Sequence, residues 1–326
     1  MELVSIVVPA FNVEATLAET LRSLFSQTYQ NFEIIVVDDG SSDDTVRITK
    51  TFASDRRLRI VQQPNRGLAG ARNTGISASN GAYVGFCDAD DLWEPEKLEA
   101  HVRHLNNHPH VGVSYAGSLL IHNDGRSMKQ AQRPKLQNVD ASDILKRNPI
   151  GNGSAPVIRK EVLTDIAYRP KHETIRDWYF DETFRQSEDI ECWMRIALTT
   201  NWVFEGVPGL LTRYRITRGG LSAGTDNQLL AWERMIEKLT PLAPALFDEY
   251  APLARAYQFR YLCRRAISDL DSEKAMDWAG KWLGASKRTF IEEPRKSLET
   301  YVAMWLMRAI GQNTLRGLAA TKLGNV

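Results

Sequence analysis

The chain contains 326 residues, of which 43% are hydrophobic and 25% are charged, and its formal net charge is +1. A chain of this length and composition can bury a sizeable core as an ordinary globular protein. The near-neutral charge gives no electrostatic argument for a nucleic-acid partner, and we expect none.

The cysteines and the amino terminus suggest a compartment. Cys87, Cys192 and Cys263 are far apart and form no CxxC pair, which favours a reducing environment and argues against a disulfide framework or a thiolate zinc site. The sequence opens on a strand-like run from Leu3 to Val8 that lacks the basic flank of a signal peptide. No apolar run approaches the roughly 20 residues that a membrane span requires. We therefore expect a cytoplasmic protein.

The first part of the chain alternates β-branched runs with helical patterns. Strands are predicted at Val4–Val8, Glu33–Val37, Leu58–Val61 and Tyr83–Phe86. Their nearly continuous apolar character is typical of parallel strands that are covered on both faces. Leucines at helical spacing between residues 17 and 24 predict a helix after the first strand, and Pro95 begins another that runs to about His108. This alternation predicts an α/β fold with a Rossmann-like, mainly parallel sheet flanked by helices.

The second part of the chain adds fewer strands. The pattern predicts strands at Val111–Ile121, Ala155–Ile158 and Trp202–Phe204, and helices at Asp143–Lys146 and Ser187–Leu198. Residues 126–150 are otherwise polar and irregular, and beyond about Asn227 only helical patterns follow. We therefore predict an α/β domain of residues 1–225 and an all-helical C-terminal region of residues 226–326.

Polar motifs follow the predicted strands at their carboxyl ends, where an open parallel sheet binds its ligands. These motifs are Pro9-Ala10-Phe11-Asn12, Asp38-Asp39-Gly40-Ser41-Ser42, Asn65-Arg66-Gly67 leading into Gly70-Ala71-Arg72-Asn73, and Asp88-Ala89-Asp90-Asp91. Clustered carboxylates repel one another, and a divalent cation such as Mg²⁺ or Mn²⁺ would relieve that repulsion with substrate phosphates as further ligands. Arg66 or Arg72 could meet the remaining charge of a diphosphate.

Five motifs, in order and at compatible spacing, resemble those of family 2 glycosyltransferases with the GT-A fold. They are Ser5 to Asn12, Val37 to Thr45, Asn65 to Gly67 with Ala71 to Asn73, Asp88 to Asp91, and Ser187 to Asp189. The resemblance covers roughly residues 3–215 and implies an inverting transferase of the type that builds bacterial polysaccharides and glycans. It would move a sugar from a nucleotide sugar, a UDP-sugar by preference, to a hydroxyl group of a glycan, lipid-linked or protein-linked acceptor. Residues of about 1–122 would form the nucleotide-sugar half and residues of about 123–225 the acceptor half.

The resemblance also implies roles for residues that bind the donor. Asp39 would accept the imide N–H of uracil, and Pro9, Ala10 and Phe11 would line the base pocket. The implied contacts along the diphosphate are those of Arg66, Arg72, Asp88, Ala89 and Asp90. Asp88 would lie near the ribose hydroxyls, Asp90 would bind the metal with Asp88 beside it, and Arg72 would approach the diphosphate or the ribose.

Catalysis is expected to depend on Asp189. The resemblance implies that Asp189 is the general base that deprotonates the acceptor, with Glu188 in support. Without the other motifs, the favoured interpretation of Asp189 would be a first-turn aspartate that favours the helix dipole. A nucleotidyltransferase-like enzyme and a non-catalytic sugar-nucleotide-binding module are the alternative functions. A dinucleotide-dependent oxidoreductase would show GxGxxG after its first strand, where this chain has Pro9 to Glu14.

Two further segments leave alternatives open. The segment Arg213 to Ser222 resembles the closing loop of the family, but the histidine that many relatives carry near Thr217 is absent. Arg215 or Arg218 could replace its diphosphate contact, and a solvated basic loop is the alternative. His101, His104, His108 and His110 invite a zinc interpretation, but we see no carboxylate or thiolate nearby in the sequence and expect the histidines to meet the helix dipole instead.

The C-terminal region ends in an amphipathic pattern. One predicted face carries Leu298, Tyr301, Val302, Trp305, Leu306, Ala309 and Ile310, and basic residues surround it at Lys287, Arg288, Arg295, Lys296, Arg308, Arg316 and Lys322. The favoured interpretation is that this face docks on the catalytic domain or on a second subunit of a homodimer. The alternative is peripheral contact with an anionic membrane, at the inner face of the plasma membrane.

Overall fold

The computed structural model describes residues 1–217 and 225–310. Its internal contacts divide the chain into two compact units, one of residues 1–144 and 148–235, the other of residues 145–147 and 236 onward. None of the helices in the described ranges is long and apolar enough to cross a membrane. The division into an α/β domain of residues 1–225 and a helical region of residues 226–326 stays a prediction.

A mixed sheet forms the centre of the first unit. Its strands are β1 (Val4–Ala10), β2 (Phe32–Asp38), β3 (Leu58–Gln62), β4 (Tyr83–Phe86), β5 (Leu92–Trp93), β6 (Val111–Ile121), β7 (Ser127–Gln132), β8 (Val157–Arg159) and β9 (Val203–Arg215). Within the described residues the order is β3-β2-β1-β4-β8-β6-β9-β5, with β7 paired to β6. Strands β1 to β4 are parallel, β8 runs antiparallel to both β4 and β6, and β6 and β9 are again parallel. The carboxyl ends of β1, β2 and β4 therefore meet at one edge.

Helices cover the sheet. They are α1 (Leu17–Phe25), α2 (Thr45–Thr51), α3 (Gly67–Ala78), α4 (Lys97–Asn107), α5 (Ala141–Arg147), α6 (Lys160–Asp165), α7 (Glu188–Thr199) and α8 (Thr225–Leu239). Helix α1 buries Leu17, Leu21 and Leu24 in the main core, as the leucine spacing predicts. Helix α3 lies so close to β1 that a Cβ atom at Gly75 would overlap Val7.

The second unit consists of helices in its described part. They are α9 (Pro244–Ser268), α10 (Ser272–Ala285), α11 (Thr289–Glu292) and α12 (Pro294–Ile310), with a single 3₁₀ turn at Thr240–Leu242. Cys263, Ala275 and Met304 are among the side chains of its core. Trp282 donates a hydrogen bond to Thr289 Oγ1 at 2.7 Å and stacks on Phe290, which fixes the turn between α10 and α11.

The predicted fold class is confirmed: the chain has a mixed α/β sheet flanked by helices and a C-terminal helical region. Two local predictions were wrong in extent. The strand expected at Trp202–Phe204 extends to Arg215, and β7 lies in a segment expected to be irregular. Pro208 and Gly209 resemble a loop in sequence, but β9 continues through them with register shifts against β6.

Candidate active site

Asp39 lies just after β2 and organises the start of α3. Its Oδ1 accepts hydrogen bonds from Gln63 Nε2 at 2.6 Å and from the backbone N–H of Arg66 at 2.8 Å, and its Oδ2 accepts from the N–H of Gly67 at 2.8 Å. The N–H of Asp39 donates to the carbonyl of Ala10, which ties the ends of β1 and β2 together. A carboxylate has about four acceptor positions, so one remains for a ligand.

The loop after β1 presents an aromatic ring. Pro9 and Ala10 are buried within the strand, whereas Phe11 is 48% exposed. Asn12 has a left-handed backbone, with φ of 52°, and its Oδ1 accepts a hydrogen bond from the N–H of Ser42 at 2.8 Å. The loops after β1 and β2 therefore hold each other, with Phe11 projecting at the surface beside Asp39.

The three aspartates after β4 have different environments. Asp88 and Asp90 are partly exposed, whereas Asp91 is fully buried. Asp91 accepts hydrogen bonds from Ser154 Oγ at 2.6 Å and from the N–H of Arg215 at 2.9 Å, so it holds the loop in place. Burial and the neighbouring Asp88 carboxylate raise the pKa of Asp90 to about 6.

Asp88 and Asp90 are therefore the acidic side chains of this loop that can reach a ligand. A cation held between them and a diphosphate would relieve the repulsion that raises the pKa of Asp90. Two carboxylates and phosphate oxygens are donors that suit Mg²⁺ or Mn²⁺. The donor set fits the expected metal.

Arg72 connects this loop to α7. The guanidinium, which is 2% exposed, donates from Nη2 to Asp88 Oδ1 at 2.9 Å and from Nη1 to Glu188 Oε1 at 2.7 Å. The rings of Phe86 and Phe180 lie against it. The structure therefore places Arg72 between two carboxylates, where its charge is already met.

Helix α7 begins with a constrained residue and three acidic ones. Ser187 has a left-handed backbone, with φ of 60°, directly before Glu188 and Asp189. Burial and the adjacent Glu188 carboxylate raise the pKa of Asp189 to about 7, although Arg72 acts in the opposite direction. A carboxylate with a pKa near neutrality suits a general base.

The partners of Arg66 and Asn73 belong to no motif of the sequence analysis. Arg66 pairs with Glu182, at 2.9 Å from Nε, and with Glu173. Asn73 donates from Nδ2 to the carbonyl of Phe180 at 2.8 Å and to Glu182 Oε1 at 2.9 Å. These bonds fasten α3 to residues 173–182 and so set the position of α7. In sequence the segment offered only scattered charges.

Arg215 supports the aspartate loop from the end of β9. It is buried and donates to the carbonyl of Asp90 from Nε at 2.7 Å, to Asn123 O at 2.6 Å and to Glu19 Oε2 at 2.8 Å. Arg218, the other candidate for the contact of the missing histidine, lies outside the described residues. The described bonds of Arg215 are all made to the protein itself.

Comparisons with known sequences concern the family. The sequence model described as glycosyl transferase family 2 matches residues 5–166. EpsE of Bacillus subtilis (strain 168), assigned as a glycosyltransferase, is 33% identical over 268 residues, which cover 78% of this chain and 89% of that protein. The Escherichia coli UDP-Glc:alpha-D-GlcNAc-diphosphoundecaprenol beta-1,3-glucosyltransferase WfgD is 28% identical over 229 residues, 70% of this chain and 82% of that enzyme.

Comparisons with solved structures concern the fold. The crystal structure of S. aureus TarS 1-349 in complex with UDP-GlcNAc aligns with a TM-score of 0.59 and 20% identity, over 87% of this chain and 79% of that chain. The mannosyltransferase PcManGT from Pyrobaculum calidifontis, in complex with GDP-Man and Mn²⁺, aligns with a TM-score of 0.56 and 19% identity, over 94% of this chain and 86% of that chain. They confirm the predicted GT-A fold.

The close approach of Gly153 to Arg72 gives a first prediction. A Cβ atom at Gly153 would overlap Arg72 Nη2 and lie 3.0 Å from Cζ. Because both ends of the guanidinium are paired, Gly153→Ala should displace it and separate Asp88 from Glu188. We expect turnover to fall about 100-fold, as for a displaced catalytic group, and the melting temperature to fall, measured by calorimetry.

Gly280→Ala is the matched control, since a Cβ atom there meets nothing within 4 Å. It should leave turnover unchanged and slightly stabilise α10. Unchanged turnover in Gly153→Ala would show that the position of Arg72 does not matter for catalysis.

Proposed function

The chain belongs to glycosyl transferase family 2, and from that premise we propose that it transfers a hexose from a UDP-sugar to a hydroxyl group of a polyprenyl-diphosphate-linked glycan, with inversion. The observation that carries this proposal is the chain of contacts from Asp88 through Arg72 to Glu188, with Asp189 next to it. In this proposal, these contacts keep Asp88, which would serve the donor, and Asp189, which would be the base, in one site. The glucosyltransferase WfgD acts on a diphosphoundecaprenol-linked acceptor, which supports the choice of acceptor.

Asp189 acts as the base in this proposal. A direct displacement needs one group that takes the proton of the acceptor hydroxyl as the new bond forms. Asp189 begins α7 with a pKa near 7, so a useful fraction is ionised at neutral pH. Glu188, which is tied to Arg72, keeps that pKa high and fixes the start of the helix.

The donor nucleotide would lie across the ends of β1 and β2. Phe11 is exposed where a base could stack, and Asp39 retains an acceptor position for an imide N–H. Two neighbours of the same fold carry UDP-GlcNAc and GDP-Man, so the fold itself accommodates both nucleotides. Uracil has an imide N–H that could donate to Asp39, whereas cytosine has no hydrogen at that ring position, and the relative WfgD is named for a UDP-Glc donor, so we favour UDP.

Asp88 and Asp90 would hold the cation. When it is bound, Mg²⁺ or Mn²⁺ stabilises the negative charge that develops on the departing diphosphate. The Mn²⁺ bound to PcManGT supports this choice. Arg72 then acts on the donor side by fixing Asp88.

The exposed face of α12 is suited to contact with a membrane surface. Leu298, Val302, Trp305 and Leu306 are 46% to 58% exposed, whereas Met304 and Met307 on the other face are buried. Arg295, Lys296 and Arg308 are exposed on the same helix. We propose that this face contacts anionic lipid at the inner surface of the membrane, because a polyprenyl-linked acceptor is anchored there.

Replacing Asp90 tests the metal. Asp90→Ala should abolish turnover and weaken UDP binding about tenfold or more in the presence of Mn²⁺, since it would remove one of the two residues proposed to hold the ion. Titration calorimetry with UDP and with GDP, with and without EDTA, measures both terms. Full activity in excess EDTA would refute metal assistance, and tighter binding of GDP would reject UDP as the donor nucleotide.

Replacing Asp189 tests the function itself. Asp189→Asn keeps the shape but cannot take a proton, so transfer to a diphosphoundecaprenol-linked GlcNAc acceptor should fall by about two to four orders of magnitude. UDP affinity should stay nearly unchanged. In the wild type, kcat/KM for the acceptor should decline as the pH falls through about 7, because protonation removes the base.

If Asp189→Asn transferred the sugar at the wild-type rate, another residue would have to be the base, and Glu188 would be the next residue to replace. UDP-sugar binding without any transfer or hydrolysis across a donor panel would instead favour the non-catalytic binding module. Formation of a sugar nucleotide would favour the nucleotidyltransferase.

Substitutions on α12 test the membrane contact. The double variant Trp305→Asp, Leu306→Asp should lower binding to anionic vesicles at least about tenfold, because it places charges on the apolar face. Donor hydrolysis should be unchanged, and cosedimentation measures the binding. These exposed positions are preferable to truncation, which would remove the buried Met304 and Met307.

Leu230→Asp, at a residue of α8 that is 68% exposed, is the matched control and should bind vesicles like the wild type. Wild-type binding that ignores lipid charge, or a dimer that dissociates on the double substitution, would favour a protein interface on α12.

A further inference from the structure

A second group of metal-ligating side chains lies away from the candidate active site. His104, in the last turn of α4, and His108, which follows the helix, are four residues apart and have ring centroids 4.8 Å apart. Glu205 of β9 completes the group, and one ligand atom of each residue lies within 4.8 Å of the others. The sequence interpretation that the histidines have no carboxylate nearby was therefore wrong: Glu205 is distant in sequence and reaches them across the sheet.

Strand pairing explains how Glu205 reaches the histidines. Ser114 of β6 is the register partner of Glu205 in the parallel β6–β9 pair. Residues paired in this way point to the same face of a sheet. Ser114 Oγ lies 2.8 Å from His104 Nδ1, so α4 packs on that face and brings both histidines over it.

In each of the two histidine rings, Nδ1 is bonded to an oxygen that is not part of the proposed ligand set. His104 Nδ1 is bonded to Ser114 Oγ, and His108 Nδ1 is bonded to the carbonyl oxygen of His104 at 2.9 Å. Metal-binding histidines are commonly held in this way, with one ring nitrogen bonded to a protein oxygen and the other on the metal. The two Nε2 atoms are then the ligand atoms, together with a carboxylate oxygen of Glu205.

The spacing of the ligand atoms suits a small cation. His104 Nε2 and Glu205 Oε1 are 3.2 Å apart. Two ligands of a tetrahedral zinc ion, each at about 2.0–2.1 Å, are separated by roughly 3.3 Å. Without an ion, a proton on Nε2 must bridge the pair, and an ion would replace that proton.

The exposure of the group and the chemistry of its donors also favour a cation at this position. The side chain of His104 is 8% exposed and that of Glu205 20%, so the group is sheltered but reachable. Two imidazoles and one carboxylate form a donor set that suits Zn²⁺ better than it suits the hard cations proposed for Asp88 and Asp90.

We propose that His104, His108 and Glu205 bind a transition-metal ion, Zn²⁺ above all, that fastens the end of α4 to β9. Helix α4 starts beside the aspartate loop, where Lys97 Nζ donates to the carbonyl of Ser154 at 2.9 Å. His104 lies seven residues further on, about 10 Å along the helix axis. The ion would therefore stabilise the support of the active site without touching the substrate.

The test separates this ion from one at Asp88 and Asp90. In an Asp90→Ala background, dialysis against Zn²⁺ and elemental analysis should give one tightly bound ion per chain. Adding His108→Ala or Glu205→Gln should weaken Zn²⁺ binding about 100-fold or more, because each removes a direct ligand. Zn²⁺ should raise the melting temperature of the Asp90→Ala protein and not that of the two double variants.

The matched control is His172→Ala in the same background, since His172 is an exposed histidine of the same unit. It should bind Zn²⁺ as the Asp90→Ala protein does. Melting without metal shows whether each variant is folded. No tight Zn²⁺ in the folded Asp90→Ala protein, or equal binding after loss of His108 or Glu205, would overturn the proposal.

Discussion

A guanidinium buried between two carboxylates fixes the distance between the two sides of the candidate active site. Arg72 belongs to α3, Asp88 follows β4 and Glu188 begins α7, so one side chain joins three elements. Breaking a buried ion pair by removing one partner leaves an uncompensated charge, at a cost of about 3–5 kcal/mol. The arrangement of Asp88 and Glu188 is therefore tied to the stability of the fold.

A second set of contacts also holds the residues of this site in place. Asp91 is buried and accepts a hydrogen bond from Ser154, and Arg215 donates a hydrogen bond to the carbonyl of Asp90. The bonds from Arg66 and Asn73 to Glu182 hold the segment before α7. Because these supports come from α3 and the residue before it, from the end of β9 and from the residues before β8, the geometry of the site follows from the sheet order rather than from one loop.

The sequence predicted the strands β1 to β4 and the acidic motifs well because both are local patterns. Apolar runs of β-branched residues specify buried strands, and motifs at their ends meet whenever the strands are parallel. What failed depends on contacts between distant residues. Arg72 and Glu188 are 116 positions apart, and His104 and Glu205 are 101 apart, so no local pattern relates them. Similarly, β9 is specified by its long partner β6 more than by its own Pro208 and Gly209.

Two arginines act on the acidic side chains of the site. The hydrogen bonds of Arg72 go to Asp88 and Glu188, and its charge also acts on Asp189. Burial and the Glu188 carboxylate nevertheless raise the pKa of Asp189 to about 7. Burial and the Asp88 carboxylate raise the pKa of Asp90 to about 6, and the charge that opposes this shift is that of Arg215. A cation near Asp90 would keep that group ionised. The carboxylate proposed to hold a metal and the one proposed to accept a proton therefore lie beside different arginines.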